Sequence, residues 1–327
     1  MTGPVARQGE RVRDGRVTDG DDGPAGAPVD LARLREGIAD GTVRSVPVGG
    51  GDIAVARRLE LPDGRRLFLK SLPDAPPGLF AAEAAGLRWL ADGLGGGSAE
   101  QPTGDRAHIG LAVPPVLAVD DSALVLPWIE PGRPSAASAA DAGRGLARLH
   151  AAGSPVFGRV DPALPGWTGL LPRDDTPEPD WPTFYARRRL LPTLAAAEAS
   201  GGIRGGDADA VRRVADRVSR LAGPPEPPAR LHGDLWSGNL HPGADGRTWL
   251  IDPAAHGGHR ETDLALLALF GAPGLGTLLA AYDASAPLAA GWRSRVGLHQ
   301  LYPLLVHAAL FGGGYGPAAG RTARDLA

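Results

Sequence analysis

The segment that most narrows what this chain can fold into runs from Val43 to Lys70. Val43 to Val48 is an extended, apolar-leaning stretch that meets Gly49-Gly50-Gly51. Ile53 to Leu61 follows, then the tight-turn chemistry of Pro62-Asp63-Gly64, then Arg66-Leu67-Phe68-Leu69-Lys70. Three strands joined by a glycine turn and a hairpin turn are expected from that order. The last strand ends on Lys70, and every other member of the 34 Lys+Arg residues is arginine. A lysine retained against such a background marks a place for a compact ammonium on a flexible stem, which a planar guanidinium does not replace. Asn239 is likewise the single asparagine, and it closes His232-Gly233-Asp234-Leu235-Trp236-Ser237-Gly238-Asn239.

Around this core the pattern predicts an α+β chain of two lobes. Residues 1–28 lack apolar periodicity and are expected to form a disordered tail. Residues 29–126 form a small N-lobe of antiparallel sheet with one main helix, Phe80 to Leu90, followed by a polar loop at 91–107. A helix is also expected around Leu31, Leu34 and Ile38, and further strands at Val113 to Val119 and Leu124 to Ile129. Pro127-Trp128-Ile129-Glu130-Pro131-Gly132 is a hinge into a larger, mostly helical lobe at 127–327. There Ala139 to His150 and Ala208 to Leu221 carry helical periodicity, and Pro162 to Pro182 reads as proline-rich loop.

Composition excludes several classes. A net charge of -3 gives no basic footprint for nucleic acid. The absence of cysteine removes disulfides, thiolate metal sites and a cysteine nucleophile. It fits a reducing compartment; with no apolar stretch near the start, a cytoplasmic location is expected. Leu264 to Tyr282 carries no charged residue, but Gly271, Pro273, Gly274 and Gly276 interrupt it. A buried helix, a break and a second helix are expected there, with no membrane span.

Phosphoryl transfer from ATP needs charge neutralisation, divalent metal and a positioned base more than covalent chemistry. Each part has a candidate. Gly49, Gly50 and Gly51 let backbone N–H groups approach phosphate oxygens. Lys70 meets the phosphates, with Glu83 on the next helix holding it, and the hinge residues Pro127, Trp128 and Ile129 flank the nucleotide. Asp234 is the expected base for an acceptor hydroxyl. Asn239 in the Asp-x4-Asn loop and Asp252, ending the apolar Trp249-Leu250-Ile251, offer hard oxygen ligands suited to Mg²⁺. A zinc reading of His232, His241, His256 and His259 matches no His/Cys spacing.

His-Gly-Asp-Leu-Trp-Ser-Gly-Asn at 232–239, Asp-Pro-Ala at 252–254 and Gly-His-Arg-Glu-x-Asp-Leu-Ala at 258–265 resemble the fructosamine kinase (ketosamine 3-kinase) family, a relative of the aminoglycoside phosphotransferases with a protein-kinase-like fold. The likeness extends through Phe-Leu-Lys at 68–70, Glu-Ala-Ala-Gly-Leu at 83–87 and Phe-Gly-Gly-Gly-Tyr at 311–315, over roughly residues 30 to 316. It implies an ATP- and Mg²⁺-dependent kinase that phosphorylates the sugar 3-hydroxyl of a free or protein-linked ketosamine and leads to deglycation. A monomer is expected. Trp236 beside the base is expected to stack on the sugar, and His259, Arg260 and Glu261 to orient the substrate. Asp263 is expected instead to hydrogen-bond the catalytic-loop backbone.

Two departures stand out. Family members often carry a cysteine in the glycine turn, where this chain has none. The stretch 165–180 differs from the family's Gly-Ser/Thr-x-x-Gln-x-Asn type segment. Its acids, Asp174, Asp175, Glu178 and Asp180, keep an aminoglycoside or amino-alcohol acceptor open as an alternative. A nucleotide-binding pseudokinase is the non-enzyme alternative.

Overall fold

The computed structural model describes residues 27–49, 53–95 and 110–326. Helix α1 (Leu31–Asp40) is capped by Asp30, whose side chain accepts the Ala32 and Arg33 N–H groups. Strands β1 (Arg44–Pro47), β2 (Val55–Glu60) and β3 (Arg66–Ser71) follow, then helix α2 (Leu79–Gly93). Strands β4 (Leu111–Ala112), β5 (Ala118–Val119) and β6 (Ala123–Pro127) complete this part. The main sheet has the order β1-β2-β3-β6-β5 and is antiparallel throughout.

The two-residue period of β3 decides what each side chain meets. Leu67 and Leu69 pack with Leu34, Leu59 and Val125 on the α1 side. Phe68 packs on the opposite side with Phe80, Leu87 and Leu124, and Lys70 shares its parity. On α2, Glu83 lies three residues after Phe80 and four before Leu87, so it belongs to the stripe that faces the sheet. Strand and helix periods together therefore aim Lys70 and Glu83 at each other.

One expectation changes here. The strand anticipated over Val113 to Val119 is reduced to β5, because Pro114 and Pro115 have no N–H to give to a ladder. Strand β4 pairs with a strand far along the chain, Thr248↔Leu111 and Trp249↔Ala112, rather than with the main sheet.

The second half is mainly helical: α3 (Ala136–Ala151), α4 (Trp181–Phe184), a π-helical turn (Tyr185–Leu190), α5 (Leu191–Ala199), α6 (Gly205–Ala215) and α7 (Val218–Leu221). Helices α8 (Glu261–Phe270), α9 (Leu275–Ser285), α10 (Trp292–Phe311) and α11 (Tyr315–Asp325) close the chain. The proline-rich loop contains a short hairpin, β7 (Gly166–Thr168) and β8 (Leu171–Arg173). The anticipated 208–221 helix is split into α6 and α7. The uncharged stretch from Leu264 resolves into α8, a break at Gly271 to Gly274 and α9, and no helix among the described residues is long and apolar enough to cross a membrane.

Four short strands position the chemistry. Strand β9 (Ala229–Leu231) pairs antiparallel with β12 (His256–Gly258), and β10 (Leu240–Pro242) with β11 (Thr248–Leu250). The loop after β9 carries residues 232–239 and the loop after β11 carries 251–255. The pairings His256↔Leu231 and Leu240↔Leu250 bring the two loops side by side.

Candidate active site

Lys70 Nζ donates to Glu83 Oε2 at 2.9 Å and Oε1 at 3.1 Å, and to Asp252 Oδ1 at 3.1 Å. Burial works against the ammonium, but the Glu83 and Asp252 carboxylates outweigh it and raise the Lys70 pKa above its ordinary value. Glu83 is thus not a solvent-facing helical carboxylate: only 10% of its side chain is exposed.

Asn239 Nδ2 donates to the Asp234 carbonyl at 2.8 Å and to Asp234 Oδ2 at 3.2 Å. Those bonds fix the amide so that its oxygen, which accepts no hydrogen bond among the described residues, is left for another partner. Asp252 Oδ2 is unengaged in the same sense. Two hard oxygen donors on adjacent loops, one neutral and one anionic, fit a small divalent cation such as Mg²⁺. The Asp234 carboxyl is pushed up to about 6 by burial, with the Asp252 charge adding and the Asn239 bond opposing. Its Oδ1 accepts no hydrogen bond among the described residues.

The loop around Asp234 is held from below. Asp263 is fully buried and accepts the His232 N–H at 2.8 Å and the Gly233 N–H at 2.9 Å. His150 Nε2 lies 3.2 Å from the same carboxylate. Gly233 sits at φ +81°, and a Cβ there would lie 2.2 Å from the Ala254 carbonyl oxygen. Glycine is required for both reasons. The structural role anticipated for Asp263 is what its contacts give it.

Lys70, Glu83, Asp234, Trp236, Asn239 and Asp252 line one cavity of about 510 Å³ between the sheet and the helical half. Trp236 is 41% exposed, so it is not a core residue; its ring lies against Gly238 and makes an edge contact with Phe270. The far wall comes from residues that pattern reading did not single out for the site, including Trp167 of β7 and His307 of α10. Neither sits in a spacing that carries a chemical signal.

Several anticipated residues lie elsewhere. Gly49 is exposed at the end of β1, and Gly50 and Gly51 lie outside the described residues. Pro127 ends β6 opposite Leu67, Trp128 and Ile129 follow it, the Trp128 N–H extending the ladder to Arg66 O at 3.0 Å, and the cavity lining does not include them.

His259, Arg260 and Glu261 are a correction: none lines the cavity. Glu261 is buried and gripped by Arg295 through Nε at 2.9 Å. Arg260 binds both oxygens of Glu226 and the Ala286 and Pro287 carbonyls. His259 is buried between Trp181 and His299. Arg260 and Glu261 thus spend their charges on partners within the protein, away from the cavity. His259, Glu261 and His299 do bring ligand-type atoms within 4.8 Å of one another. The arginine on Glu261 and the Thr262 hydroxyl on His299 already use that group as a hydrogen-bond network.

The acidic segment is corrected too. Asp175 is buried between Arg173 and Arg189, Asp174 and Glu178 pair with Arg188, and Asp180 caps α4. With three of the four acids paired to arginines and the fourth spent on a helix cap, the run does not make an acidic cleft.

The family model of fructosamine kinases matches residues 35–327. An Enterococcus faecium protein assigned as a ketoamine kinase is 34% identical over 275 residues, spanning 83% of this chain and 91% of its own. The crystal structure of a Thermobifida fusca protein assigned as a fructosamine-3-kinase superposes with TM-score 0.78 at 44% identity, covering 91% of this chain and 99% of that one. An aminoglycoside phosphotransferase, at 16% identity and TM-score 0.52 over 88% of this chain and 97% of its own, shares the two-lobed kinase-like fold alone.

Proposed function

The chain belongs to the fructosamine kinase family, and from that premise we propose that it transfers the γ-phosphoryl group of ATP to the sugar 3-hydroxyl of a ketosamine. The observation that carries this reading is the convergence of Lys70, Asp234, Asn239 and Asp252 on one cavity, with Lys70 fixed by Glu83. Lys70 holds the non-transferred phosphates as a point charge. Asp234 accepts the proton of the acceptor hydroxyl as its oxygen attacks phosphorus in line and ADP leaves. Asn239 and Asp252 would hold a magnesium ion, which would supply charge neutralisation to the phosphates. Trp236 offers an exposed aromatic face to the sugar. Phosphate is a better leaving group than hydroxide, so the product loses inorganic phosphate by β-elimination beside its carbonyl, and water hydrolyses the resulting imine to a dicarbonyl and the free amine, the step that makes the reaction a deglycation.

An aminoglycoside or other polycationic acceptor is disfavoured by the pairing of Asp174, Asp175 and Glu178 with arginines. The intact Lys70, Asp234, Asn239 and Asp252 set argues against a pseudokinase.

The test is ATP consumption against fructosyl-lysine, ribulosyl-lysine, psicosyl-lysine, kanamycin and choline, with Asp234→Asn as control. Turnover on at least one ketosamine, lost in Asp234→Asn with ADP binding kept, is expected. Turnover on kanamycin or choline and on no ketosamine would sink the reading of the acceptor. Full activity in Asp234→Asn would remove it as the base.

A further inference from the structure

Asp252 has φ +52°, the one non-glycine residue among the described residues in the left-handed region. A side chain in that region is strained and persists only where its surroundings over-determine it. Lys70 holds the Asp252 carboxylate, but the backbone that follows is held by a residue from a different part of the chain. Arg173, at the end of β8, donates Nη1 to Ala254 O at 2.6 Å and Nη2 to Ala255 O at 3.0 Å.

The guanidinium is itself clamped. Asp175 accepts Arg173 Nε at 2.8 Å and Nη2 at 2.8 Å, and it is buried with Arg189 on its other side. Burial alone would raise the Asp175 carboxyl; Arg173 and Arg189 outweigh it and hold it well below the usual carboxylate range. The pinned Ala254 carbonyl is the atom packed against Gly233. One arginine therefore reaches the junction of the Asp234 loop and the Asp252 loop.

We propose that Arg173 is a positioning residue for the metal-binding edge of this site, its planar fork locking the Ala254–Ala255 backbone so that Asp252 keeps its left-handed conformation toward Lys70 and Asn239. The proposal rests on the reading of Asp252 as a metal ligand. A fork whose Nη1 and Nη2 span two successive carbonyls while Nε and Nη2 engage a carboxylate is a geometry lysine and glutamine do not reproduce. Partners that orient a metal ligand are worth about 10–100-fold in metal affinity or activity.

Calorimetric titration of the full chain with ADP, with and without Mg²⁺, gives the factor by which the metal tightens nucleotide binding. Arg173→Gln is expected to cut that factor by about ten-fold or more, with the metal-free ADP affinity kept at the wild-type value. Asp252→Asn sets the scale for complete loss. Arg173→Lys keeps the charge without the fork and is expected to lose the factor as well; it carries the test if Arg173→Gln melts below the assay temperature. A wild-type factor in either folded variant overturns the proposal. So does an equal loss of ADP affinity with and without metal, the mark of a merely structural role. A wild-type protein that binds ADP with no help from Mg²⁺ overturns instead the metal reading of Asp252, and the proposal with it.

Discussion

Lys70 Nζ spans from Glu83 on α2 to Asp252 Oδ1, 3.1 Å away on a loop of the helical half. One ammonium thus ties the sheet, its helix and the loop after β11 into a single charged unit. A guanidinium at this position is planar, longer and committed to paired bonds. Lys70→Arg is therefore expected to lower kcat by about 10²–10³, the scale for removing one preorganised donor to a phosphoryl or oxyanion group. Steady-state kinetics with a melting curve checks it; wild-type kcat in a folded variant would mean that charge alone suffices.

Asp263 holds two successive N–H groups with one carboxylate, and His150 sits on the same group. Asp263→Ala leaves both amides buried without acceptors, each costing about 1–3 kcal/mol. The variant is expected to lose several degrees or more in Tm and to lose kcat with it, because the Asp234 loop is no longer held. Unchanged Tm and kcat would show that neighbouring groups take over both amides.

The parts of the site legible in the sequence are those where a period fixes direction. Alternation along β3 points Lys70 away from the α1 core, and the α2 stripe turns Glu83 inward. Asp234, Asn239 and Asp252 stand at strand ends joined by short loops, where few placements are open. What pattern reading lost was pairing at a distance. Arg188 and Arg189 reach back from the π-helical turn to pair with Asp174, Asp175 and Glu178, ten or more positions earlier in the chain. Glu261 likewise looks available beside Asp263 until Arg295, a residue of α10, closes on it. Neighbours in a motif share a loop, but they do not share the side of it that faces the cleft. Of the fold, α1, α2, α3, the broken α8–α9 stretch and the β2–β3 hairpin were legible, whereas α5, α10 and α11 were not. The β4–β11 pairing was not, since a two-residue strand leaves no periodicity to read.

That correction has a kinetic consequence. Glu261→Gln leaves the buried Arg295 without its counter-charge, and breaking such a pair costs about 3–5 kcal/mol. The expected result is a lower Tm with KM for the ketosamine unchanged at a temperature where the variant is folded. A rise in acceptor KM with wild-type Tm would restore Glu261 to the substrate site.

Buried histidines give the fold an acid-sensitive window. Burial, followed by the nearby Arg189 and Arg173 charges, lowers His256 to about 3, and burial with His299 beside it lowers His259 to about 3. In the unfolded chain both take up protons near the ordinary histidine pKa of about 6.5. Between those values the unfolded state binds more protons than the folded one, so stability rises with pH and is lost as pH falls below about 6.5. At pH 5 the loss is about 2 kcal/mol per histidine. The raised Asp234 carboxyl works the other way below about 6, which makes the total slope a poor test. A difference between variants isolates one group. The fall in Tm from pH 7 to pH 5 is expected to be smaller for His256→Gln than for the wild type, because glutamine adds no proton to the unfolded chain. Parallel curves for the two proteins would mean that His256 is already accessible to protons in the folded state.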